Sequence, residues 1–152
     1  MSLLKEFKEA FEKTKKDLNF KATYEELEEV FYLEDFILHS RFVSPKLSRA
    51  IALRQRDTLG QWQQALQRWT MPQPYMHADQ AESSAFTDEE KQNMIAILHE
   101  INRHLWSNTV AGLKKDKQLE AEFIDQSLAL WNKHKEFFIK CAQKASTYKL
   151  QE

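Results

Sequence analysis

The sequence predicts an all-α fold, a compact bundle of about five mostly antiparallel helices that form one domain over residues 1–152. One observation is that the chain contains only two glycines and three prolines, whereas β-rich folds need many such residues in their turns. Another is that apolar residues recur at intervals of three and four, the spacing of one helical face. Capping boxes at Thr23–Glu26 and Thr87–Glu90 also mark helix starts.

The first two helices are predicted to lie before residue 43. Ser2 can cap a helix that extends to about Leu18. Its inward stripe comprises Leu3, Leu4, Phe7, Phe11 and Leu18. The Thr23 hydroxyl and the Glu26 carboxylate can each bond a free backbone N–H group, so the second helix is predicted from Thr23 to about Phe42.

The third helix is predicted to start at Ser44–Pro45 and to extend to about Thr70. Proline at the first helical position loses no hydrogen bond, and serine is a favourable cap before it. Gly60 lies inside this helix and is expected to mark the close approach of a neighbouring helix. Two further prolines end the helix, and the absence of periodicity predicts a long connection at about residues 71–86.

The fourth and fifth helices are predicted to follow the Thr87 capping box and to be separated by a polar break near Lys114–Asp116. The inward face of the fourth helix is read as Met94, Ile97, Leu98, Ile101 and Leu105. That of the fifth is read as Phe123, Leu130, Trp131, Phe138, Cys141 and Ala145.

Charged residues interrupt faces that should be apolar. Glu34 and Arg41 fall on the apolar face of the second helix, Arg54 on that of the third and His134 on that of the fifth. If the second and third helices form an antiparallel hairpin, equal rise from Ser44 places Glu34 beside Arg54, which predicts an ion pair. The four residues are therefore interpreted first as a buried polar network that fixes helix register.

The same residues allow an alternative interpretation as a ligand site. Arg41 and Arg54 would hold an anionic group through paired hydrogen bonds, Glu34 would accept a proton or orient the ligand, and His134 would titrate. The protein would then be an enzyme or a small-anion-binding protein with an interior pocket. The sequence favours the structural interpretation, because interior charges more often specify packing than perform chemistry.

The fourth helix also carries a second apolar arc beside its main stripe, made of Ile95, Trp106 and Leu113. Such an arc allows one helix to contact two neighbours, one of which can belong to a second subunit. Large aromatic residues such as Trp106 are the usual anchors of these contacts. The arc is therefore the candidate interface.

Several kinds of site are disfavoured. His99 and His104 are five residues apart, whereas helical zinc ligands need a spacing of four, and Asp35 with His39 points away from the predicted core. No metal and no cofactor are expected. With two glycines the chain cannot build a glycine-rich phosphate loop, and Cys141 lies on an apolar stripe where a thiol is usually inert.

Charge and composition also limit the expected partners. A formal charge of −1 gives no overall field to attract nucleic acid or an anionic membrane. The single cysteine and the absence of a long uncharged apolar run predict a cytoplasmic protein that does not span a membrane. The sequence thus predicts a small cytoplasmic interaction or assembly protein, with a protein partner or a homo-oligomer favoured over nucleic acid.

Overall fold

The computed structural model describes residues 2–147, and 84% of them are helical. They form seven helices, α1 Leu3–Leu18, α2 Tyr24–Phe31, α3 Leu33–Ser40, α4 Leu47–Thr70, α5 His77–Ser84, α6 Asp88–Lys114 and α7 Lys117–Thr147. No strand occurs among the described residues. The all-α class is confirmed, but the predicted count of about five helices is wrong, since one predicted helix is broken and one predicted connection is partly helical.

The break in the predicted second helix lies at Tyr32, which has a φ of 53° in the left-handed region. A non-glycine residue pays a conformational cost of about 1 kcal/mol or more there. Two side chains satisfy the freed backbone groups: Nε of Arg54 donates to the Phe31 carbonyl at 2.8 Å, and Oε2 of Glu28 accepts from the Glu34 N–H at 2.7 Å. The contact from α4 explains why the local sequence did not reveal the break.

The predicted connection at residues 71–86 contains α5, an eight-residue polar helix. It is held by tertiary contacts: Ser83 Oγ donates to the Trp69 carbonyl at 2.7 Å, and the Trp69 indole N–H donates to Glu82 at 3.2 Å. Arg68 pairs with Glu82 at 3.3 Å. Because these contacts come from the end of α4, helix periodicity within the segment gave no signal of α5.

Both predicted capping boxes form. The Thr23 N–H bonds to the Glu26 carboxylate at 3.1 Å, and the Glu26 N–H bonds to the Thr23 hydroxyl at 3.2 Å. Thr87 and Glu90 make the same reciprocal pair at 2.9 and 3.1 Å. The third predicted helix starts slightly later than expected, at Leu47.

The chain divides into two compact units. Among the described residues, the first unit comprises 2–58 and 104–130, and the second comprises 59–103 and 131–147. Helices α4, α6 and α7 therefore contribute residues to both units. No helix in the described part of the chain is long and apolar enough to cross a membrane.

Aromatic residues fill the core of each unit. In the first unit, edge-to-face contacts with ring centroids 5.5–5.8 Å apart join Phe7 to Tyr24 and Phe11 to Phe20 and Tyr24. The loop before α2 is anchored by Asp125, whose carboxylate accepts hydrogen bonds from the backbone N–H groups of residues 21 and 22. In the second unit, the buried Trp69 and Phe86 pack together, and the half-buried Phe138, Trp62 and Trp131 lie beside them, the last two stacked with ring centroids 4.3 Å apart.

Candidate functional site

The predicted ion pair between Glu34 and Arg54 is wrong. Glu34 is half-buried in the first unit, and its Oε1 accepts a hydrogen bond from the Tyr24 hydroxyl at 2.9 Å. Burial and this contact raise the pKa of Tyr24 above its ordinary value. Nε of Arg54 instead donates to the Phe31 carbonyl. The left-handed turn at Tyr32 changes the direction of α3. A helical wheel that treats α2 and α3 as one continuous helix therefore places Glu34 on the wrong face.

The other two residues of the predicted cluster also have separate positions. Arg41 is exposed at the C-terminal end of α3, where its φ is 62° and its N–H bonds to the Ile37 carbonyl at 2.9 Å. His134 belongs to the second unit, where its Nε2 lies 2.8 Å from Glu100. Hydrogen bonds from His134 and Lys133 lower the pKa of Glu100. The contacts of these four side chains do not join them into one site.

A different histidine occupies the interior of the first unit. His104 is 9% exposed, and its ring stacks on Phe123 with centroids 4.2 Å apart. The Ser127 hydroxyl donates its only proton to the Phe123 carbonyl at 2.8 Å, so it accepts at 2.7 Å from His104 Nε2, which carries the ring proton. Burial lowers the pKa of His104 to about 4. The ring is therefore neutral at pH 7 and serves to hold α6 against α7.

The burial of His104 was not predicted from the sequence. The spacing of Ile101, His104, Asn108 and Ala111 follows intervals of three and four, and all four residues are buried. The predicted inward face continues from Ile101 to Leu105, which is only half-buried, whereas the buried series continues through the polar residues His104 and Asn108.

A second buried polar network joins α4, α6 and α7 in the first unit. Nη1 of Arg49 donates to the Asn108 side-chain oxygen at 2.8 Å, and Nε of Arg49 lies 3.8 Å from the Glu120 carboxylate. The Ser48 hydroxyl donates to the same carboxylate at 3.2 Å. This contact between the buried Glu120 and the half-buried Arg49 of α4 was not predicted from the sequence.

Gly112 provides the space for this network. A Cβ atom at this position would lie 2.5 Å from Nη2 of Arg49. At Gly60, by contrast, nothing lies within 4 Å of an added Cβ. The close approach expected at Gly60 is therefore wrong, and the tight contact occurs at the other glycine of the chain.

The first unit also contains an open cavity of about 470 Å³ between α1 and the N-terminal ends of α4 and α7. Its charged lining comprises Glu6, Lys13, Asp17, Lys46 and Lys117. Three ammonium groups and two carboxylates nearly cancel, so the cavity offers no strong field of one sign. The arginines proposed to hold an anion, Arg41 and Arg54, do not line it.

The candidate interface residues are exposed. On α6, Trp106 is 69% exposed, Leu113 is 80% exposed, and Val110, which sequence reasoning omitted, is 43% exposed. Their spacing of four and then three residues puts these side chains on one face, here named the α6 seam. The third predicted interface residue, Ile95, belongs to the second unit and is 39% exposed.

The remaining reactive groups form no centre in the described part of the chain. Cys141 is buried, and burial raises the pKa of its thiol to about 11, so the nucleophilic thiolate is scarce at pH 7. Among residues 2–147, no group of three or more His, Cys, Asp or Glu side chains is arranged to hold a metal ion. The α6 seam is, by contrast, an exposed apolar surface of the first unit.

Comparison with known proteins adds no functional information for this chain. No family model, no curated protein and no solved structure matches it.

Proposed function

We propose that this chain is a small cytoplasmic interaction protein that self-associates through the α6 seam. The observation that carries the proposal is the exposure of Trp106 and Leu113 on one face of a long helix. Water-exposed tryptophan and leucine side chains lose the free energy that burial would give, about 1.5–3 kcal/mol for each large apolar side chain. Association with a partner would bury these side chains and recover this free energy.

The seam is small, so a contact through it is expected to be reversible. Trp106, Val110 and Leu113 are 69%, 43% and 80% exposed, and an exposed apolar patch on a monomer often marks a binding surface. Ser107 and Thr109 flank the seam and are exposed, so they can form its polar rim.

The alternative function, an enzyme or small-anion-binding protein, has less support. It depended on Arg41, Arg54, Glu34 and His134 converging, and each of these residues makes its contacts elsewhere. The free, buried thiol of Cys141 agrees with a reducing compartment such as the cytoplasm. No observation favours a second candidate function over self-association.

Sedimentation velocity of the full chain over a concentration series tests the proposal. The wild type is expected to sediment faster as the concentration rises toward about 1 mM, and Trp106→Gln is expected to remain monomeric. Phe42→Gln is the matched control, because Phe42 is also aromatic and is 61% exposed in the same unit. It should associate like the wild type.

A wild type that stays monomeric at the highest concentration would overturn the proposal. An equal loss of association in Phe42→Gln and Trp106→Gln would place the contact outside the seam. Circular dichroism spectra of each variant show that the helices remain folded.

A further inference from the structure

We draw no further inference here: the strongest candidate, the open cavity between α1 and the N-terminal ends of α4 and α7, carries none, because its charged side chains are exposed and of both signs and, among residues 2–147, no buried polar side chain without a partner lines it to specify a ligand.

Discussion

The buried, neutral His104 makes the stability of the protein dependent on pH in a defined window. Its pKa is about 4 in the folded state, against about 6.5 for an exposed histidine. The unfolded chain therefore binds a proton more readily, and the stability that His104 contributes is fully present above pH 6.5 and is lost as the pH falls toward 4. Lowering the pH from 7 to 5 should reduce the free energy of unfolding by about 2 kcal/mol through this residue.

Urea unfolding of the wild type and of His104→Gln at pH 7 and pH 5 measures this effect. Glutamine keeps an N–H donor near the Ser127 hydroxyl but does not titrate. The variant should therefore be less stable than the wild type at pH 7, and its free energy of unfolding should fall less between pH 7 and pH 5. The carboxylates of Glu90 and Glu100, whose pKa values are lowered by their hydrogen-bonded lysine and histidine partners, affect both proteins equally.

His99→Gln is the control, because His99 is exposed on the same helix. It should show the same loss of stability at pH 5 as the wild type. The reasoning would be refuted by a His104→Gln variant whose unfolding free energy falls between pH 7 and pH 5 as much as that of the wild type.

Three further predictions concern stability and are checked by urea unfolding at pH 7. Arg54→Met should cost about 1–2 kcal/mol, the loss of one charged hydrogen bond to the Phe31 carbonyl; a loss of about 4 kcal/mol or more would indicate an orphaned buried carboxylate instead. Gly60→Ala should stabilise the protein by up to about 1 kcal/mol, since nothing lies near the added methyl group, and a clear loss would show a hidden contact. Gln55→Met should be neutral or stabilising, because Oε1 of Gln55 is buried without a partner and only its Nε2 is bonded, to the Ile124 carbonyl; a loss above about 2 kcal/mol would contradict this.

The helix starts illustrate what could be predicted for the fold. The capping boxes at Thr23 and Thr87 connect residues three positions apart, so their whole physical cause lies within a few letters of sequence. The turn at Tyr32 has the opposite origin. Its left-handed backbone is unfavourable locally, and the Arg54 side chain that bonds beside it comes from another helix.

The candidate site likewise has one part that could be predicted from the sequence and one part that could not. The apolar arc that contains Trp106 and Leu113 could be predicted from the periodicity of the helix alone, but not whether these side chains are exposed or packed against a neighbouring helix. The partners of the interior polar groups could not. The sequence offers several arginines, glutamates and histidines with similar spacing, and which of them are buried depends on how each helix is rotated against its neighbours.

The sequence by itself determined the all-α class, most helix starts and the apolar arc of α6, since each depends on residues within one or two helical turns. Only the tertiary structure decided that α2 and α3 are separate, that α5 exists and that Arg49 lies beside the buried Glu120. The physical reason is that local conformational preferences are small. Contacts between residues distant in sequence contribute a few tenths to a few kcal/mol each, which is enough to override these preferences.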